Sequence, residues 1–288
     1  MQACTADVSK QHLESASDFV PLVSLDAPNA TAIIAGALQR SGFLLVHCNA
    51  LSPALLEEAL RACRELLSES ASGVERHPSD PKYYRMLRRS ELELLLDSCG
   101  GAETRKACAV LLDYWRALEG IKQELLRAIA QGLGLEADFF SARHVEGNDC
   151  LRLLHYPPAP DAGNRCKEHS DYGTITLLGT DGTVGLEIWD DASGLWAPVP
   201  GAVQASEAMA GGHATLVVNA GSLLSAWTNG AVRATLHRVA GPRSERSGTP
   251  PERLREAAAA HRHSLALFVD PDPGAELGAG GAPAPPGA

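Results

Sequence analysis

The chain has 288 residues, 45% hydrophobic and 21% charged, the balance of an ordinary globular protein long enough to bury a sizeable core. Its net charge of −10 and pI near 5.5 provide no basic footprint for a nucleic-acid backbone, and no stretch approaches the apolar length that spans a membrane. Seven scattered cysteines, an odd number without CxxC pairs, argue against a disulfide frame and for reduced thiols in an intracellular, cytoplasmic setting.

Residues 1–19 mix Asp7, Lys10, Glu14 and Asp18 without an apolar run, so a polar arm is expected there rather than a secretory signal. Residues 20–26 read as a short strand. A helix capped by Asn29 then runs to about Gln39, and Gly42 ends it before a strand over 43–47. Ser52 before Pro53 predicts the next helix start, and Leu56, Ala59, Leu60, Cys63 and Leu67 follow at helical spacing as a core-packing stripe. From 68 to 90 the periodicity lapses into Ser, Gly, Pro and charge, which predicts a long loop with Tyr83, Tyr84 and Arg85 near its end. A long amphipathic helix is predicted within 103–131, with Trp115 on its packing side and Gly132 and Gly134 at its end.

Past Gly147 the pattern changes to short β segments at 150–156, 174–178, 186–189, 195–199, 215–219, 236–239 and 264–269, separated by Gly, Pro and Asp. Many short strands with regular turn signals indicate a sandwich or barrel. Asn229-Gly230 suits a tight turn with positive φ ahead of the strand that carries His237. Residues 241–260 read as an exposed loop with a short helix near 251–260, and the Pro, Gly and Ala of 273–288 cannot bury a core and are expected to be disordered.

The chemistry concentrates around Glu168-His169-Ser170-Asp171. A histidine and a carboxylate two residues apart on a strand or its lead-in share a face, and can present one nitrogen and one oxygen to a metal. His237 is the best candidate for a third ligand. Two imidazoles and a carboxylate with the remaining positions open form the facial triad of non-heme Fe(II) oxygenases, although a His-x-Asp pair taken alone also fits a surface hydrogen-bonded pair. Cys166 stands three residues before His169, but no second Cys/His pair supports a zinc site, and it reads as a loop thiol. Arg262-His263-Ser264, followed by the apolar run 265–269, places a guanidinium and a hydroxyl on one strand face, a combination suited to holding a carboxylate. Arg246-Ser247 lacks both the spacing and the strand.

Taken in order, Arg152-Leu-Leu-His-Tyr156-Pro157-Pro158, the His169 segment, Gly185-Leu186-Glu187-Ile188, Trp196-Ala-Pro-Val-Pro200, Leu216-Val-Val-Asn219-Ala-Gly221, Trp227-Thr228-Asn229-Gly230, His237-Arg238-Val239 and Arg262-x-Ser264 resemble the isopenicillin N synthase-like, 2-oxoglutarate and Fe(II)-dependent dioxygenases. The resemblance runs from about 20 to 272 and is dense from 150 onward. It implies an α+β fold: one domain over 20–272, with a helical N-terminal part (20–147) flanking a distorted double-stranded β-helix, or jelly-roll, core (148–272).

It further implies that His169, Asp171 and His237 hold Fe(II), that Arg262 and Ser264 clamp the far carboxylate of 2-oxoglutarate, that Tyr156 orients it, and that Val239 lines its pocket. O2 is the second co-substrate, with ascorbate as reductant. By the same resemblance Tyr84, Leu186 or Ile188, and Phe268 face a small organic substrate, which would be hydroxylated; core packing accounts equally well for Leu186 and Ile188, and surface packing accounts better for Tyr84. The chain departs from the family pattern at Leu154, where plant relatives commonly have an asparagine, at His47-Cys48-Asn49, and at Ser222, which replaces an aspartate. Relatives usually continue into C-terminal helices, so the tail here implies either a more open site or a fragmentary gene model. An oxidase of the isopenicillin N synthase or aminocyclopropane-carboxylate oxidase sort, which needs no 2-oxoglutarate, and a non-catalytic binding module both share these residues and stay open.

Overall fold

A computed structural model describes residues 19–68, 71–97, 101–199 and 213–276. The expected polar arm, apart from Phe19, and the tail from 277 onward lie outside the described residues.

The strands are nearly continuous in apolar character because most are covered on both faces. The larger sheet has the order β1 (Leu22–Ser24), β2 (Phe43–His47), β10 (Thr215–Ala220), β7 (Ile175–Thr180), β12 (Arg262–Val269), β5 (Cys150–Tyr156), β4 (Tyr83–Leu87) and β3 (Glu75–Arg76). The smaller has the order β6 (Asn164–His169), β11 (His237–Ala240), β8 (Leu186–Asp190) and β9 (Leu195–Pro198). Apart from the parallel β1–β2 pair, the pairings are antiparallel. Two facing antiparallel sheets make a jelly roll, and with helices on one side the fold is α+β.

Four helices cover the outer side of the larger sheet: α1 (Ala30–Arg40), α2 (Pro53–Leu66), α3 (Arg89–Asp97) and α4 (Ala102–Gly132). Side-chain alternation decides what each strand residue does. On β12, Leu265, Leu267 and Val269 pack under the helices, as do Leu151 and Leu153 of β5 and Leu216 and Val218 of β10. The intervening Ala266, Leu154, Tyr156 and Val217 face the smaller sheet instead. The helix ends follow local chemistry. Ser52 Oγ accepts the Leu55 N–H at 3.1 Å, with Pro53 in the first turn. Asn29 precedes α1 without any side-chain cap bond, contrary to its expected role.

Three expectations change. The segment 68–90 is not a plain loop: β3 and β4 extend the sheet, with Tyr84 opposite Leu154 and Met86 opposite Arg152. Half-exposed strands at a sheet edge need no apolar alternation, which hid them. β6 was missed for the same reason, since Asn-Arg-Cys-Lys-Glu-His reads as polar. The link 241–260 carries its helix, α6 (Pro251–Ala259), but is not simply exposed. Glu187 of β8, fully buried, accepts bonds from Arg238 Nε (3.0 Å), Thr249 Oγ1 (2.7 Å) and Ser247 Oγ, and these tie the link to the smaller sheet.

Candidate metal centre

His169 ends β6 and His237 begins β11, and the two are register partners. Their rings therefore lie side by side, with centroids 4.2 Å apart. Asp171 is not on a strand with His169: it sits in the crossing from the smaller sheet to β7, held there by backbone bonds. The Ser222 N–H donates to the Asp171 carbonyl at 2.8 Å, and Gly221 N–H to the Thr174 carbonyl at 3.0 Å, at the start of α5 (Ser222–Trp227). Gly221 is required at this contact, because a Cβ there would stand 2.1 Å from the Gly173 carbonyl oxygen.

The carboxylate is oriented by side chains that the sequence reading left without a role. Thr176 Oγ1 donates to Asp171 Oδ2 at 2.6 Å, and Asn219 Nδ2 donates to the same oxygen at 2.8 Å. Oδ1 is thereby directed at the imidazoles, 3.7 Å from Nε2 of His169 and 3.7 Å from Nε2 of His237. Asn219 and Thr176 were visible as polar residues at inward positions of otherwise apolar strands, and Asn219 also stood in one of the blocks that carry the resemblance.

The donor set suits a divalent transition metal. Its three ligand atoms lie within 4.8 Å of one another. His169 Nδ1 is 2.8 Å from the Lys167 carbonyl, which fixes the proton on Nδ1 and turns the Nε2 lone pair toward Asp171. Burial pushes His237 down to about 4, so its imidazole is neutral at pH 7 and free to ligate. Burial opposes the charge on Asp171, but His237 and the two hydrogen bonds outweigh it and keep the carboxyl below its ordinary range. With both imidazoles deprotonated at Nε2, two nitrogens and one carboxylate are the donors that favour Fe(II) with open positions.

The inner face of the larger sheet forms the floor of a cleft beside these three residues. At one end Arg262 and Ser264, each 1% exposed, share a face of β12, and Arg262 Nη1 donates to Ser264 Oγ at 3.3 Å. Tyr156 is the register partner of Arg262 on β5, and the guanidinium lies 5.0 Å from its ring centroid. Burial pushes the Tyr156 phenol up to about 12, which keeps it a neutral donor. Among the described residues Arg262 makes no contact ion pair: the Asp181 carboxylate feels its charge from a distance, and the guanidinium lines the cleft with donors left for an anion.

The remaining expected residues divide. Val239, Leu186 and Phe268 line the cleft with the three ligand candidates. Ile188 is fully buried in the core between the sheets and does not line it. Tyr84 lies at the edge, its hydroxyl donating to Glu75 Oε2 at 2.6 Å. Cys166 is not a loop thiol: it is buried on β6, with Lys82 Nζ 2.9 Å from its sulfur, and both line the cleft. Lys82 also pairs with Asp80 at 3.0 Å and lay unseen in the stretch read as a loop.

Residues 147–271, which contain all three ligand candidates and the Arg262/Ser264 pair, match the family model for the 2OG-Fe(II) oxygenase superfamily. The chain is thus similar over this segment to members of that superfamily. Among curated members, it is 33% identical over 165 residues to the 2-oxoglutarate-dependent dioxygenase gloF of Glarea lozoyensis, covering 56% of this chain and 46% of the relative. It is 37% identical over 158 residues to frbA, a 2-oxoglutarate-dependent dioxygenase of a Dothideomycetidae species, covering 52% of this chain and 42% of the relative. The bacterial Validamycin A dioxygenase of Streptomyces hygroscopicus is 33% identical over 184 residues, covering 61% of this chain and 43% of the relative. The chain thus spans less than half the length of these oxygenases.

Solved structures share the fold. A full-length Neurospora crassa protein, in complex with alpha-KG and 5-formyluracil, superposes with a TM-score of 0.69 at 23% identity, covering 88% of this chain and 85% of that one. The dioxygenase for auxin oxidation 1 of Arabidopsis thaliana, in complex with 2-oxoglutarate, gives 0.67 at 21% identity, covering 88% and 93%. The description of the matched superfamily names Fe(II) and 2-oxoglutarate as reagents of its members.

Proposed function

We propose that this chain is a non-heme Fe(II) dioxygenase that couples oxidative decarboxylation of 2-oxoglutarate to hydroxylation of a small organic substrate. The observation that carries the reading is the pairing, within one cleft, of a two-histidine, one-carboxylate set with a buried arginine that makes no contact ion pair among the described residues. His169, Asp171 and His237 hold the iron. Fe(II), when bound there, supplies the oxygen-activating redox chemistry, which side chains cannot provide.

The protein's own groups bind, orient and exclude water. Arg262 supplies a fork for the far carboxylate of 2-oxoglutarate, Ser264 adds a hydroxyl, and Tyr156, protonated at neutral pH, donates a further bond. Val239 provides an apolar wall. Leu186 and Phe268 line the space left for the substrate, with Tyr84 at its edge, while Ile188 backs Leu186 from the core. Ascorbate serves as the reductant that keeps the iron ferrous. The acidic chain works on a small molecule rather than on nucleic acid. Among the described residues no helix is long and apolar enough to cross a membrane, and we place the protein in the cytoplasm.

The test is succinate release from 2-oxoglutarate by protein purified without oxygen and then supplied with Fe(II), ascorbate and O2. Release is expected from the wild type and not from His169→Ala or Asp171→Ala. An oxidase of the isopenicillin N synthase sort would consume O2 without forming succinate, and a binding module would do neither.

A further inference from the structure

Four basic side chains line the cleft among the described residues: Lys82, Arg152, Arg238 and Arg262. Lys82 is balanced by Asp80 at 3.0 Å, and Arg238 by Glu187 at 2.9 Å. Arg262 is assigned to the co-substrate. Arg152 has no acidic partner among the described residues. Its Nη2 reaches only the Met86 sulfur, a weak acceptor, at 3.4 Å, and its Nε is buried without any hydrogen-bond partner.

This guanidinium is held in place nonetheless. It lies 4.8 Å from the Phe268 ring centroid and 5.4 Å from that of Tyr84, between two aromatic faces that fix its plane and leave its edge free. The floor beside it is open, because its register partner on β12 is the small Ala266, which in turn faces Leu178 on β7. The charged end of the 2-oxoglutarate clamp lies further along the sheet: Arg262 and its partner Tyr156 are four residues from the Ala266–Arg152 pair, about 14 Å along the strands, with Ser264 and Leu154 between them. Phe268, by contrast, is the register partner of Thr176, whose hydroxyl holds Asp171. Arg152 therefore stands on the metal side of the cleft, away from the clamp.

We propose that Arg152, stacked between Tyr84 and Phe268, is the anchor for a carboxylate on the prime substrate, so that the enzyme oxidises a small organic acid. A buried, partnerless Nε beside a free guanidinium edge is the donor pattern that a carboxylate satisfies with two parallel hydrogen bonds and that a neutral amide satisfies less well. This inference rests on the dioxygenase reading and gives it a substrate class.

The test is a panel of small carboxylates (amino acids, N-acetylamino acids, aryl and alkyl acids), each supplied beside its own carboxamide, with Fe(II), 2-oxoglutarate and O2. Substrate-stimulated succinate release is followed for the wild type, Arg152→Gln and Arg152→Lys. In the wild type the best acid should exceed its amide in kcat/KM by about tenfold or more, the worth of a charge-assisted bond. In Arg152→Gln that ratio should fall to near one through a raised KM for the acid, with Arg152→Lys between the two. Because the ratio compares two compounds on one protein, a partly folded variant does not distort it. A wild type that prefers no acid, a panel in which nothing stimulates release above the uncoupled rate, or an Arg152→Gln variant that keeps the preference overturns this inference alone. Absence of any 2-oxoglutarate-dependent release, uncoupled turnover included, overturns the dioxygenase reading and this inference with it.

Discussion

Replacing Asn219 by leucine, a near-isostere without hydrogen-bonding groups, tests whether metal affinity depends on how Asp171 is aimed. Asn219 is 3% exposed and Asp171 8%, so water cannot replace the 2.8 Å bond that is lost. A hydrogen bond to a charged group contributes about 1.5–3 kcal/mol, which corresponds to roughly 10–150-fold in a binding constant. Loss of an orienting partner at a metal ligand generally weakens affinity by about 10–100-fold, the same range. Thr176, at 2.6 Å from the same oxygen, still restrains the carboxylate in this variant, so a result near the lower end is expected. Thr176→Val combined with Asn219→Leu should then lose more than the product of the two single effects, because the last restraint disappears. The bonds also hold the Asp171 carboxyl below its ordinary range, so the deficit should widen as the pH falls and protons compete for the freed oxygen. The assay is anaerobic competition for Co(II) against a chromophoric chelator, with thermal melting of the apo-protein as a check on folding. A folded Asn219→Leu variant that binds Co(II) as tightly as the wild type would refute the orientation argument.

Arg262→Gln should raise the KM for 2-oxoglutarate by at least about tenfold and Arg262→Lys by less, since lysine keeps the charge and loses the fork; an unchanged KM in a co-substrate titration would remove Arg262 from the clamp. Lys122, 1% exposed on α4, pairs with Asp149, 2% exposed just before β5, at 2.8 Å. Lys122→Met leaves that carboxylate buried without its counter-charge and should cost about 3–5 kcal/mol in urea unfolding, much of it recovered when Asp149 is also made apolar; a loss below about 1 kcal/mol would contradict the pair's role. Burial opposes the charge on Asp181, but His263 and Arg262 outweigh it and hold its carboxyl down at about 2. A depressed carboxyl stabilises the fold above its unfolded pKa near 4 and loses that contribution as the pH falls toward 2, so about 2 kcal/mol of wild-type stability should disappear across this window. Asp181→Asn should lack that slope in acid denaturation followed by circular dichroism, and an identical acid profile would show that another group carries it.

Which side chains are candidates for the chemistry, and in which order they occur, could be read from the chain before any fold was known. His169, Asp171, His237, Arg262 and Ser264 were legible because their spacing and the runs that flank them are local features, as were the Ser52 cap, the long helix and the Asn229-Gly230 turn, whose φ values are both positive. Local patterns survive in one dimension because they depend on backbone geometry within a few residues. Pairing across the sheets is settled only on folding. The register of β6 with β11 puts the two imidazoles side by side, and the crossing docked on Gly221 brings Asp171 to them. Asn219 and Thr176 become partners of that carboxylate because β10 and β7 are neighbours, a fact no spacing records. Strands β3, β4 and β6, at or next to a sheet edge, escaped the reading because a half-exposed strand tolerates polar residues on both faces. With them went Lys82, and with β4 the stacking of Tyr84 and Phe268 on Arg152, a contact among three strands whose residues are far apart in the chain and meet only in the folded sheet.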